Sequence, residues 1–399
     1  MKILQVSHRV PYPLNEGGTI GIYNYTKGFH ELGHSVTLVT LNAKKHSIDK
    51  KAAYTELSKY AKVHIVDINT NLSPLAAFIN LFSKKSYNAS RFYSKEFKNL
   101  LEVILRIESF DIIQVEGTFV AMYHEVLRNN SKAPLVLRQH NVEYQIWQRL
   151  ASNEKNRVKR WYLSLLAKRL KNFEKGVINH FDALVPVTKF DGQLFEQLGF
   201  NRPIFVSPAG INTQYWHPST SENPFHIFHL GSLEWMPNVE AVFWFIDNVW
   251  PLILSLDKRF KLYIAGKNMP DYMAKMQLEN VIMMGEIEDA YSFVSDKAIT
   301  VVPLLSGSGI RLKILESMAA SKLVISTSIG AQGIDYVDGE HLLIADTPQQ
   351  FEKYFKALSA NPDHYNTVRD NGLKLIKNQY ANQAVLNSLL EFYLAIKSK

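Results

Sequence analysis

The sequence predicts an α/β protein of two lobes, each an open parallel sheet whose strands are joined by crossover helices. Short apolar runs of strand length alternate with longer segments of helical periodicity along most of the chain. Between residues 200 and 224 that alternation lapses into a stretch holding Pro203, Pro208, Gly210, Pro218 and Pro224, the composition of an interdomain hinge. The chain is also 399 residues long, more than one compact core normally organises.

Element by element, KILQVS at 2–7 reads as the first strand, and a Pro/Gly-rich loop follows it. A helix comes next, with Ile22, Tyr25, Phe29 and Leu32 at helical spacing, and Gly33 stops it. Further strands of the first lobe are expected over 36–40, 63–68, 111–115, 135–137 and 183–187. A second series follows the hinge, over 226–230, 261–265, 281–284, 299–304, 323–326 and 341–345, and three helical segments close the chain from Pro348. The expected divisions are a first domain over 1–205, a second over 206–379, and a final helix over 380–399 packing back toward the first. Ligands of open parallel sheets bind beyond the carboxyl ends of the strands, so a cleft facing both lobes is expected to hold the chemistry.

Composition narrows the field. Apolar residues at 46% and charged residues at 21% suit a globular chain. No run of about 18 mainly apolar residues occurs, and no basic-then-apolar signal opens the sequence, so neither export nor membrane spanning is expected. The absence of cysteine excludes disulfides, thiolate zinc sites and cysteine nucleophiles, and fits a reducing cytoplasm. The net charge of +8 makes phosphate-rich ligands or an anionic membrane face electrostatically reasonable partners. Nucleic acid is disfavoured because the cations are spread along the chain rather than gathered in one patch.

The most informative segment is PLLSGSGIRLKILESMAAS at 303–321. It reads as a strand to Leu305, a loop of Ser306, Gly307, Ser308 and Gly309, and a helix to about Ala320. Small residues let backbone amides approach a ligand, and a helix N-terminus offers unpaired N–H groups and partial positive charge. Arg311 and Lys313 oppose the helix dipole there, which makes sense if a phosphate neutralises them; two solvated cations on a plain turn are the other reading. At about 100° per residue, Glu316 shares a face with Gly309, Leu312 and Ala320. It lies about 10 Å beyond the loop, close to the separation of a diphosphate from its own ribose.

Several motifs together resemble the retaining glycosyltransferases of the GT-B fold, in the large fourth sequence family that uses nucleotide-sugar donors. They are PYPLNEGG at 11–18 before a helix and ELGHSVTLVT, PAGINTQYWHP at 208–218, HLGSLEWMPN at 229–238, and GSGIRLKILESMAASKLVIST at 307–327 with GAQGI just after. The resemblance covers nearly the whole chain and implies two Rossmann-like doubly wound domains facing a cleft. It matches Gly17 and Gly18 to the glycine-rich loop beside the donor diphosphate, and Glu316 to the glutamate on the ribose hydroxyls. His140 in RQHNVE matches the histidine near the reacting carbon, and Gly285 the place where the base packs. The chemistry implied is substitution at the anomeric carbon with retention, a donor phosphate oxygen taking the acceptor proton, with no cofactor beyond the sugar nucleotide.

Two departures stand out. The family commonly has two glutamates eight positions apart, and the earlier position here is Ser308. It also commonly has an Arg and a Lys soon after the first strand of the second lobe, where this chain has SLEWMPN. Arg311 and Lys313 are expected to neutralise the diphosphate instead. No Asp-x-Asp loop or His/Asp ligand set stands out, so a metal-independent site is expected. Basic amphipathic stretches over 78–106 and 157–175 suit contact with the inner face of the cell membrane and a lipid-linked acceptor, or a charged outer face over an ordinary core. Among rival functions, a dehydrogenase lacks the G-x-G-x-x-G fingerprint after its first strand. An epimerase on the same fold would bring several carboxylates to the cleft, and a non-catalytic nucleotide-binding subunit is the reading that Ser308 keeps open.

Overall fold

The computed structural model describes residues 1–14, 17–43, 49–71, 73, 79–306 and 309–398. The chain divides into two compact units, one of Met1–Pro208 with Val385–Lys399, the other of Ala209–Ala384.

In the first unit six parallel strands lie in the order β3-β2-β1-β4-β5-β6: β1 (Lys2–Ser7), β2 (Ser35–Ala43), β3 (Lys62–Ile68), β4 (Ile112–Glu116), β5 (Leu135–Gln139) and β6 (Ala183–Pro186). The second unit repeats the plan as β12-β11-β10-β7-β8-β9, with β7 (Asn223–Leu230), β8 (Lys261–Ala265), β9 (Val281–Gly285), β10 (Lys297–Val302), β11 (Leu323–Ser326) and β12 (Leu343–Ile344). In both sheets the chain starts in the middle, winds out to one edge, returns, and winds out to the other. This is the doubly wound order, and strand order reverses between β1 and β4 and again between β7 and β10. Helices on both faces explain why β4, β5 and β10 are buried along their whole length.

Each predicted strand is present, though β12 is only two residues long. The helix Gly17–Glu31 ends before Gly33, whose φ of 80° only glycine adopts freely. Pro348 opens the helix Pro348–Ala360 behind a capping box between Thr347 and Gln350. The helices Asn366–Leu375 and Asn382–Lys397 follow, and the unit boundary falls inside the last of them. From Val385 that helix packs with Ile3, Tyr25, Phe29 and Val136 in the first unit, and Leu386 lies so close to Gly28 that a Cβ there would come within 2.0 Å of it.

No single helix among the described residues is long and apolar enough to cross a membrane. One bent pair, Met236–Asn248 with Trp250–Leu256, passes by length and composition, and its Val239, Val242, Phe245 and Ile253 are core residues of the second unit.

The tops of β7, β8 and β9 are laced together by backbone alone. Gly231 N donates to Ala265 O at 3.1 Å, and Gly266 N to Gly285 O at 2.8 Å. A Cβ on Gly266 would lie 1.7 Å from Gly231 O, and no rotamer relieves a clash with backbone. We expect Gly266→Ala to destabilise this unit by about 3 kcal/mol in urea unfolding, a scale set by overpacking against a fixed neighbour. Fluorescence of Trp216, Trp235, Trp244 and Trp250 follows that transition.

Candidate functional site

Both reversals of strand order gather buried polar groups at carboxyl ends of strands. In the second unit the group is built on the loop after β10 and the helix Leu312–Ala319. The strand stops at Val302, earlier than Leu305, and the helix starts later than the sequence suggests, so Arg311 is its N-cap residue in extended conformation rather than part of a first turn. The 10 Å helical spacing expected from Gly309 to Glu316 therefore does not apply, because Gly309 lies outside the helix with a φ of 85°. Gly307 and Ser308 lie outside the described residues.

Lys313, in the first turn, reaches across to the loop after β7. Its Nζ donates to Asn238 Oδ1 at 2.9 Å and sits 3.4 Å from His229 Nε2. His229 donates from Nδ1 to the Val301 carbonyl at 3.0 Å, which leaves Nε2 as an acceptor facing the ammonium. Asn238 is itself held by donation from Nδ2 to Ser232 O at 2.8 Å. Gly231 makes the room: a Cβ there would stand 2.5 Å from Lys313 Nζ. Burial, with help from Arg311, lowers the Lys313 pKa from 10.5 to about 7. One turn on, burial raises the Glu316 carboxyl to about 7, against Lys313 and a hydrogen bond from the Trp216 indole. Arg311 lies over the Trp235 ring at 5.5 Å, and its Nη1 donates to Gly309 O. These cations thus meet SLEWMPN, the loop where the resemblance places an Arg and a Lys.

In the first unit the carboxyl ends of β1, β4 and β5 bring His8, Glu116 and His140 together. Glu116 is fully buried, with Oε2 accepting from His140 Nε2 at 2.9 Å and from Arg138 Nη1 at 3.0 Å. Burial alone would raise its pKa; Arg138 and the hydrogen bonds of His140 and Gln114 outweigh that and hold it at about 2. Arg138 lies 3.8 Å over the Tyr25 ring. His8 donates from Nδ1 to Glu116 O at 3.0 Å, and burial with Arg9 keeps it neutral, its pKa lowered to about 3. His140 is lowered too, by burial first and Arg138 second. Beyond it, the carboxylate of Glu174 caps the helix Glu143–Asn153, accepting from Glu143 N at 3.1 Å and Tyr144 N at 2.9 Å.

Of the residues singled out in the sequence, Arg311, Lys313 and Glu316 fall together in one unit and His140 in the other. Gly285 ends β9 with a φ of 70°. Gly17 and Gly18 are the first two residues of their helix rather than loop residues. The glycine that faces the histidine is Gly21, where a Cβ would stand 3.6 Å from both Arg138 Nη2 and His140 Cε1. Sequence reasoning missed Gly21, Glu116, Arg138, His229, Trp235 and Asn238. Glu116 and Arg138 left one signal, a charge interrupting the ends of two apolar strands.

Residues 16–215 match the family described as Glycosyltransferase Family 4, and residues 224–361 match Glycosyl transferases group 1. The chain belongs to glycosyltransferase family 4, on the GT-B fold. An uncharacterised 44.6 kDa protein in the cps region of Klebsiella pneumoniae is 23% identical, covering 98% of this chain and 99% of its own. Anabaena HepE, solved with UDP and separately with UDP-glucose, superposes on this fold with a TM-score of 0.64 for the UDP complex at 11% identity, covering 99% of this chain and all of HepE. TarM of S. aureus reaches 0.67 at 14% identity over 98% of each chain.

The depressed Lys313 pKa has a definite sign in stability. Between pH 7 and 10.5 the unfolded chain holds more protons than the folded one at this group, so raising pH through that window stabilises the protein. We expect wild type to gain urea stability relative to Lys313→Met from pH 7 to pH 10; an unchanging difference would mean that the ammonium is not buried at a cost.

Proposed function

We propose that this glycosyltransferase is a retaining, metal-independent enzyme that moves a sugar from a nucleoside-diphosphate donor to a hydroxyl of a glycan or lipid-linked acceptor, in cell-envelope polysaccharide or glycoconjugate synthesis. The observation that carries the reading is Lys313: an ammonium at a strand-order reversal, beside a helix N-terminus and Arg311, hydrogen-bonded among the described residues to neutral groups. A diphosphate arriving there would supply the missing negative charge and restore the ammonium's proton affinity. As the sugar leaves, charge builds on the phosphate oxygens, and preorganised cations with the amides of the helix Leu312–Ala319 stabilise it.

In this reading Glu316 takes the ribose hydroxyls one turn further in, Gly285 adjoins the base, Gly17 and Gly18 lie beside the diphosphate, and His140 reaches the sugar near the reacting carbon. Gly307, Ser308 and Gly309 are assigned to the phosphate loop. A donor phosphate oxygen takes the acceptor proton, and no cofactor is used beyond the sugar nucleotide. The UDP and UDP-glucose complexes of HepE support a sugar nucleotide, and the cps-region relative supports a polysaccharide product.

A peripheral contact with the inner face of the cell membrane belongs to the same proposal. Phe82 is 84% exposed and Trp161 59% exposed. Arg169 ties their segments together, its guanidinium donating to Asn80 O and Leu81 O at 2.8 and 2.9 Å. Lys159 and Arg160 lie beside Trp161 in the helix Arg157–Ile178, the mixture of cations and apolar rings that suits an anionic surface.

Two measurements test these statements. In a thermal-shift series of nucleoside diphosphates, at least one should raise the melting temperature, and Arg311→Ala and Lys313→Ala should each weaken its binding by about 10- to 100-fold, the worth of a charge-assisted hydrogen bond. Unchanged dissociation constants would remove the assignment of both cations. Flotation with liposomes containing anionic lipid should carry wild type upward and leave Phe82→Ala/Trp161→Ala behind; no flotation of wild type at physiological salt would remove the membrane contact.

A further inference from the structure

The pairing of Glu116 with His140 determines more than position. Glu116 is fully enclosed and takes donors on both oxygens: Gln114 Nε2 and Gln5 Nε2 on Oε1, Arg138 Nη1 and His140 Nε2 on Oε2. It is an ionised carboxylate, which only accepts. A ring nitrogen 2.9 Å from such an oxygen must carry a hydrogen, since two lone pairs at that distance repel. Arg138 Nη1 also comes within 3.3 Å of the same nitrogen, and being a donor itself it gives its hydrogen to Glu116 instead. A second ring proton is opposed by burial and by the neighbouring guanidinium. The neutral ring is therefore bare at Nδ1. The imidazole keeps 16% of its surface open, and Nδ1 has no hydrogen-bond partner among the described residues.

We infer that Glu116 is a positioning residue: it locks His140 as the Nε2–H tautomer and so presents Nδ1 as a hydrogen-bond acceptor to a hydroxyl of the sugar ligand. An acceptor nitrogen receives O–H and turns away carboxylate and phosphate oxygens, which bring no hydrogen. The tautomer follows from Glu116 alone, while the hydroxyl partner rests on the proposed function above. The lock is rigid because its members are anchored elsewhere. Gln114 Oε1 accepts from Tyr393 on the last helix, Gln5 Oε1 accepts from Thr26 Oγ1 at 2.7 Å, and Arg138 is stacked on Tyr25. Gly21 of the helix Gly17–Glu31 faces the ring, and a Cβ there would stand in ordinary contact with it, 3.6 Å from Cε1.

The test is nitrogen NMR on the full chain labelled with 15N-histidine, with His140 assigned by its loss in His140→Gln. At neutral pH, two-bond correlations should place Nε2 in the protonated range and Nδ1 in the unprotonated range. A predominant Nδ1–H form, or an imidazolium, would overturn the inference. In Glu116→Leu/Arg138→Met both members of the buried pair become apolar, a replacement that buried ion pairs commonly tolerate. Averaged nitrogen shifts from a mixture of tautomers are expected there, and an undisturbed Nε2–H form would show that Glu116 does not set it. Should this variant fail to fold, the wild-type spectrum still decides. For the sugar nucleotide that wild type consumes, the double variant should lose about tenfold in kcat, the worth of one oriented hydrogen bond, with little change in KM. If wild type consumes no sugar nucleotide, the proposed function fails while the tautomer result stands.

Discussion

In both units strand order reverses at the middle of a parallel sheet, and at that reversal the crossover helices leave the sheet on opposite faces. The carboxyl ends of the two central strands are left without a covering helix between them. Backbone groups and side chains there must find partners of their own, and buried polar groups gather at β1, β4 and the neighbouring β5 in one unit and at β7 and β10 in the other. Away from the reversals, a strand such as β6 buries apolar residues along its whole length.

The two reversals solve the problem of buried charge in opposite ways. Glu116 is surrounded by four donors, one of them a guanidinium, and its ionised form is favoured despite complete burial. Such a group is a fixed part of the fold, since removing one partner would strand the other in a low-dielectric interior. Lys313 and Glu316 are left incompletely compensated. The ammonium has an amide oxygen and an imidazole nitrogen, the carboxyl an indole N–H, and burial pushes both toward neutrality. A site that costs stability in this way is one whose charges a ligand can complete.

The loop after β7 shows how an alternative arrangement of cations is accommodated. Trp235 and Asn238 stand in SLEWMPN, where the family resemblance places cations; one stacks on Arg311 and the other accepts from Lys313. The positive charge comes from the loop after β10, and the loop after β7 holds it in place. Gly231 and Gly266 are small because this crossing brings two backbones and an ammonium within a few ångströms.

Much of this was legible in the sequence. Twelve strands follow from apolar runs of the right length between helical periods, because burial on both faces of a parallel strand writes itself directly into composition. Arg311, Lys313 and Glu316 were legible because all three lie within six residues, so local spacing alone brings them together. The partners were not. Glu116 and His140 are 24 positions apart in sequence and meet because β4 and β5 are neighbours, and Lys313 reaches Asn238 across 75 positions because β7 lies beside β10. Periodicity determines which residues form strands and which face is buried; which strand ends lie side by side, and hence which titratable groups share a proton or a charge, is decided only by the packing of the whole sheet.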